Sequence, residues 1–203
     1  MHVRGVILAG GGATRYDGKP KGLEIVGGRR VIDHLVEAFT KSLGELPLLV
    51  ANAEDARTWR PELSVVADIR PGCGALGGIY TAVVQGPAPV VVVAWDMPFV
   101  NAPLISALAN GLIRHDAYLP ESDGRRGVEP LCAAYGPACI AAIETSLDRD
   151  ERRAIAFHQA VKVGILPLEE VRAFGDPARL FFNVNTPDDL VEADALWRHA
   201  SSP

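Results

Sequence analysis

Leu8-Ala-Gly-Gly-Gly-Ala-Thr-Arg15-Tyr-Asp-Gly-Lys-Pro-Lys21-Gly-Leu follows directly on an apolar run, Val6-Ile7-Leu8, and the two together decide the fold. The run reads as the first buried strand of an α/β domain. Three successive glycines let the backbone leaving that strand approach another molecule closely, and their amides can point at an anion. Arg15, Lys19 and Lys21 then place three cations within seven residues. A strand that ends in an amide-rich loop and a cationic segment is a receptacle for a polyphosphate; its bland alternative is a surface turn. Two familiar motifs are excluded. A dinucleotide fingerprint needs a glycine where Arg15 stands, and a P-loop needs one at Ala13 and a hydroxyl residue at Pro20.

Working outward, apolar residues at 31, 32, 35, 36 and 39 have helical spacing. Leu48-Leu-Val-Ala51 and Leu63-Ser-Val-Val-Ala67 read as the second and third strands, the latter ending at Asp68. A second glycine-rich loop, Asp68-Ile-Arg-Pro-Gly-Cys-Gly-Ala-Leu-Gly-Gly78, runs into a helix near Leu76. Strands alternating with helices predict a mainly parallel sheet covered on both faces. Ligands of such sheets bind outside the carboxyl ends of the strands, so both glycine loops are expected on one edge. Val90-Val-Val-Val-Ala94 is the run of a doubly buried strand, and it ends in Trp95-Asp96-Met97-Pro98. An Asp at that position suits Mg²⁺, a hard cation that takes carboxylate and phosphate oxygens. The other reading of Asp96 is a turn residue before Pro98.

Pro103 starts a further helix, and Ala117-Tyr-Leu119 and Pro130–Tyr135 read as strands around a polar loop. Residues 140–143 and 151–161 read as helices, with Arg149, Arg152 and Arg153 forming either a solvated face or the rim of a pocket for a second anionic substrate. Leu180-Phe-Phe-Asn183-Val-Asn185 alternates like a strand, with Asn183 and Asn185 on one side. Thr186-Pro-Asp-Asp189 then opens a last helix with a capping-box-like start. The 203 residues, with no linker or repeat, predict one domain over 1–203 that buries about 70% of its unfolded surface. A net charge of −5 argues against broad nucleic-acid or anionic-membrane binding. No apolar stretch approaches a membrane span of roughly 18 residues, and a cytoplasmic protein is expected. The three cysteines have no CxxC spacing, which indicates neither a disulfide framework nor structural zinc.

Four motifs in order resemble those of the molybdenum cofactor guanylyltransferases (MobA type), a branch of the Rossmann-like nucleotidyltransferases. They are Leu8-Ala-Gly-Gly…Arg15…Lys21-Gly-Leu, Asp68…Gly74-Ala-Leu-Gly-Gly78, Asp96-Met-Pro-Phe99 and Phe182-Asn-Val-Asn-Thr-Pro187. The resemblance implies a three-layer α/β/α fold and attack by the terminal phosphate of molybdopterin on the α-phosphate of GTP, with pyrophosphate leaving. It implies that Leu8, Ala9, Gly10, Gly11, Lys21 and Asp68 bind GTP and that Asp96 ligates Mg²⁺. The family's nucleotide-contacting asparagine aligns most naturally with Ala51, with Asn52 adjacent, and Pro20-Lys21 stands where the family often has Asp-Lys.

Nucleotidyl transfer needs an in-line geometry and charge stabilisation more than covalent help. Arg15 suits the β- and γ-phosphates as a planar donor fork, Lys21 the charge at the α-phosphate, and Asp96 the metal. The attacking phosphate is already ionised, which agrees with a chain lacking a Ser/His/Asp set. Asn183, Asn185 and Arg153 are candidates for the second substrate. Two alternatives remain: a related cytidylyl- or sugar/alcohol-phosphate nucleotidyltransferase, and a non-catalytic nucleotide-binding protein. Partner proteins that deliver the pterin or accept the product would dock on the basic loops at 125–126 and 149–153.

Overall fold

A computed structural model describes residues 1–10, 20–86, 89–124 and 127–200, with the backbone alone at 199–200. The expectations placed on Gly11, Arg15 and Lys19, and on the basic pair at 125–126, lie outside the described residues.

The first strand, β1 (Arg4–Ala9), is an interior strand, third in a seven-stranded sheet of order β5-β4-β1-β6-β8-β7-β9. Its neighbours are β4 (Leu48–Ala51) and β6 (Val90–Ala94), both parallel to it, with Val6 in register with Leu48 on one side and Val92 on the other. The edge beyond β4 is β5 (Val65–Val66), also parallel. On the far side β8 (Cys132–Tyr135) runs antiparallel to β6 and to β7 (Ala117–Pro120), and β9 (Val163–Leu166) closes that edge parallel to β7. A small hairpin of β2 (Ile25–Val26) and β3 (Arg29–Arg30) stands apart from the sheet.

Side-chain alternation along β1 builds two cores. Ile7 joins Leu49, Val91 and Val93 beneath α1 (Val31–Leu43) and α4 (Ala102–Gly111), where Ile32, Leu35, Phe39, Leu104 and Leu108 are buried. Val6 and Leu8 join Val50, Val90 and Val92 on the other face, beneath α3 (Gly74–Gln85) and α5 (Cys139–Asp148). Each fully buried Leu or Ile contributes about 1.5–3 kcal/mol, so a doubly covered sheet is the stable solution for runs such as Val90–Val93. Gly44, at φ 77°, ends α1 in the left-handed region, and Asn101 starts α4 by accepting the Leu104 N–H at 3.1 Å.

Order along the sheet matters for function. The chain steps from β1 outward through β4 to β5, then returns to place β6 on the other side of β1. That reversal leaves a crevice at the carboxyl ends of β1 and β6, where ligands of open α/β sheets bind.

Two expectations fail. Residues 151–161 hold turns and a single 3₁₀ turn, His158–Ala160, instead of a helix. Their apolar residues are nearly contiguous; Phe157 is buried in the core, against Tyr135, while Ala154, Ala156 and Val161 pack only partly buried beside it. Residues 180–185 form no strand. Asp176 caps a short helix, α7 (Pro177–Leu180), which takes up Leu180, and the Asn183 side chain donates to the Phe181 carbonyl at 2.7 Å. Such local side-chain bonds compete with a sheet ladder, and both sheet edges are already formed by β5 and β9. The third strand is also shorter than 63–67, with only Val65–Val66 paired. The remaining helices are α2 (Ala56–Trp59), α6 (Leu168–Arg172) and α8 (Pro187–Ala200).

Candidate active site

The crevice is a cavity of about 520 Å³. Leu8 and Gly10 reach it from the end of β1, Val50 and Asn52 from β4, and Ala94 and Asp96 from β6, while Asp68, Gly72, Gly74 and Gly78 form a wall from the second glycine loop. Gly10, the one described glycine of the first loop, therefore shares an edge with the second glycine loop. Lys21, Ala75, Leu131, Asn183 and Asn185 complete the lining.

Lys21 arrives on a 3₁₀ turn, Lys21–Leu23, whose seat explains its glycine. A Cβ on Gly22 would stand 2.5 Å from Trp95 Cε3, so only glycine lets the turn lie this close to the indole. Trp95 is itself stacked on Trp59, with ring centroids 5.0 Å apart. Because Trp95 directly precedes Asp96, the same contact delivers Lys21 to the aspartate. Lys21 Nζ lies 3.7 Å from Asp96 Oδ2 and donates to Asn185 Oδ1 at 2.7 Å. The Asp96 carbonyl accepts the Val184 N–H at 2.9 Å, which draws the 183–185 segment over the site without any strand pairing.

Burial pushes the Asp96 carboxyl above its usual range, and the adjacent Lys21 ammonium partly opposes that rise. Its side chain is 15% exposed and that of Lys21 14%, so the pair faces the cavity in a medium of reduced dielectric, where charge interactions are strong. Across the crevice Asn52 Nδ2 donates to Asp68 Oδ2 at 2.7 Å, and the Asp68 N–H donates to Asn52 Oδ1 at 2.8 Å. This reciprocal pair fixes both side chains. Ala51 is instead buried in the core below the sheet, so the asparagine available to a ligand here is Asn52.

Among the described residues no three His, Cys, Asp or Glu side chains gather into a protein-only metal cage. The donor set fits Mg²⁺ nonetheless, because that ion is held by one or two carboxylates together with substrate phosphates and retained water. Asp96 would supply the carboxylate, and the cavity leaves room for the other ligands.

Ala9 ends β1, paired with Ala51, and is not part of the cavity lining. Arg153 is exposed and stands outside it, whereas Arg152 reaches the second glycine loop, donating to the Gly72 carbonyl at 3.1 Å. The sequence had no local signal for the Lys21–Asn185 bond, whose members are 164 residues apart; only the paired asparagines before Thr186-Pro187 hinted at it.

A switch-point crevice with a glycine wall and a lysine facing an aspartate has the form of a nucleotide site on a Rossmann-like sheet, and the class of protein it fits is a nucleotidyltransferase. The chain belongs to the MobA-like NTP transferase domain family, whose model matches residues 5–163. It is 34% identical over 197 residues to a probable molybdenum cofactor guanylyltransferase of Pelotomaculum thermopropionicum, covering 97% of this chain and 94% of the relative. It is 31% identical over 196 residues to a molybdenum cofactor guanylyltransferase of Desulfosudis oleivorans, covering 95% of each. Among solved structures, molybdopterin-guanine dinucleotide biosynthesis protein A of Archaeoglobus fulgidus superposes with a TM-score of 0.80 at 27% identity, over 97% of this chain and 100% of that one.

Proposed function

We propose that the protein, acting as one domain over residues 1–203, transfers GMP from GTP to molybdopterin, forming the guanine dinucleotide and releasing pyrophosphate. The observation that carries this reading is Lys21 set between Asp96 and Asn185 at the switch point of the sheet. The names borne by relatives that align over most of the chain support the choice of substrates.

In this reading Leu8, Gly10 and the glycine wall shape the nucleotide seat, with Ala9 and Gly11 contributing backbone and Arg15 gripping the β- and γ-phosphates. Asn52 and Asp68 hold the nucleoside end. Lys21 donates to the α-phosphate oxygens as negative charge moves toward the leaving pyrophosphate, a positioned-donor effect worth roughly 10²–10³ in rate. Asp96 would hold Mg²⁺, which supplies Lewis-acid stabilisation and a template for the phosphates when bound. Asn185 keeps the Lys21 amine over the site, and Asn183 flanks the side from which the pterin phosphate approaches. No general base is required, since that phosphate is already ionised. We place the reaction in the cytoplasm; no helix among the described residues is long and apolar enough to cross a membrane. Proteins that supply the pterin or take the product are the expected partners.

Pyrophosphate release measured with GTP, CTP, UTP and ATP, each with and without molybdopterin, tests the reading. Release from GTP that requires molybdopterin is expected. Release from CTP alone among the four would move the protein to the cytidylyl branch, which the Pro20-Lys21 pair shares.

A further inference from the structure

The residues 164–203 lie beyond the stretch matched by the family model, yet they reach Lys21 at one place and the hairpin that follows it at another. Near the start of α8, Asp189 Oδ2 accepts the backbone N–H groups of both Asn185 and Thr186 at 2.8 Å, and Asn185 in turn accepts the Lys21 amine. Thr186 Oγ1 accepts the Asp189 N–H at 3.1 Å, completing a capping box. Helix capping alone accounts for the Thr186 bonds; it does not require the second bond, to the backbone of Asn185.

One and a half turns further along, Asp194 Oδ1 accepts the Gly27 N–H at 2.9 Å. Gly27 is the turn of the β2–β3 hairpin, which begins four residues after Lys21. Its φ of 60° lies in the left-handed region, and a Cβ there would stand 2.2 Å from Trp197 Cδ1. Trp197 lies flat against this turn and packs on His34 and Phe99, at 4.1 and 5.7 Å between ring centroids. The Gly27 N–H, and after it Arg198, hold the Asp194 carboxyl below its usual range. Val26, Val31, Phe99, Val184 and Ala193 form a separate buried cluster that joins the hairpin, the loop after Asp96 and α8 into one body.

We propose that α8 is a brace that sets the position of Lys21, with Asp189 and Asp194 as its positioning residues. Asp189 fixes the backbone from which Asn185 reaches the amine, and Asp194 fixes the hairpin that follows the lysine turn. The inference rests on the reading of Lys21 as the catalytic amine, but its first readout, the reactivity of that amine, does not depend on the nucleotide.

In the full-length protein, acylation of Lys21 by a succinimidyl ester is followed residue by residue by mass spectrometry, with Lys41 and Lys162 as internal references. Steady-state kcat and KM for GTP are measured beside it. Asp189→Ala and Asp194→Ala should each speed Lys21 acylation about 3- to 10-fold, the worth of a typical hydrogen bond. They should lower kcat roughly 10- to 100-fold while leaving KM nearly unchanged, as expected when a transition-state contact is misplaced. Asp189→Asn and Asp194→Asn keep an oxygen acceptor and should stay close to wild type. Thr186→Val removes a capping bond but leaves Asp189 on the Asn185 backbone, so Lys21 should acylate at the wild-type rate. The brace is refuted if the alanine variants acylate Lys21 like wild type, or if Thr186→Val reproduces their losses, since general weakening of the helix would then explain them. Changed Lys21 reactivity in a protein that never turns over GTP would sustain the brace and overturn the function.

Discussion

Lys21→Ala removes one charge and one hydrogen bond from the middle of the site. The ammonium stands 3.7 Å from Asp96 and 2.7 Å from the Asn185 amide oxygen. An ion pair at about 4 Å is worth about 1 kcal/mol in water and about 4 kcal/mol at an effective dielectric of 20, and the low exposure of both side chains puts this pair nearer the second figure. Loss of a donor aimed at developing charge should cost about 2.7–4 kcal/mol in the barrier, or roughly 10²–10³ in kcat. A second effect follows from the same geometry. Asp96 is already pushed upward by burial, and Lys21 is the main group holding it down. Without the lysine its carboxyl protonates at still higher pH, so the acidic limb of the kcat profile should move upward in the variant. Pyrophosphate release as a function of pH reads both quantities. A loss confined to KM would make Lys21 a uniform binding residue, and an unmoved acidic limb would show that it does not govern the Asp96 charge.

Three further outcomes follow from the same contacts. Because burial raises the Asp96 pKa above its unfolded value, ionised Asp96 costs the folded state stability as pH rises through the folded pKa; Asp96→Asn should therefore raise Tm at neutral pH, in metal-free protein, while removing turnover. A lower Tm at neutral pH would contradict that sign. Gly22→Ala drives a Cβ into Trp95 and should cost about 1–3 kcal/mol as overpacking, with kcat falling alongside because the lysine turn is displaced; calorimetry and the same assay would show it, and wild-type behaviour would dismiss the Trp95 seat. Asn52→Ala breaks the reciprocal bonds to Asp68 and should raise the GTP KM about 10-fold, the equivalent of about 1.4 kcal/mol, with kcat little changed; titration against GTP checks the split.

The parts of the fold legible in the sequence are those in which burial imposes a period. Val90–Ala94 is apolar throughout because β6 is covered on both faces, and α1 shows its spacing because one side rests on Ile7 and Leu49. β9 was missed for the opposite reason. It is a four-residue edge strand in which Gly164 yields to the His115 ring, where a Cβ would lie 2.5 Å away, so neither length nor alternation marks it. The site was legible strand end by strand end: Gly10, Asp68 and Asp96 each follow a recognisable run. Asn183 and Asn185 do share one cavity, but through a hydrogen bond from Val184 to Asp96 and a capped helix, not through the alternation that first paired them. What joins Lys21 to Asn185 depends on tertiary contacts among Gly22, Trp95 and α8, and no local pattern encodes those.

The most direct measurement of the central claim supplies GTP labelled at the α-phosphate, with Mg²⁺ and molybdopterin, and follows the label into product. The expected result is a guanine dinucleotide carrying the label, one pyrophosphate for each transfer, and neither product from Asp96→Ala. Label that stays in GTP, or that passes to product equally well in Asp96→Ala, would contradict it.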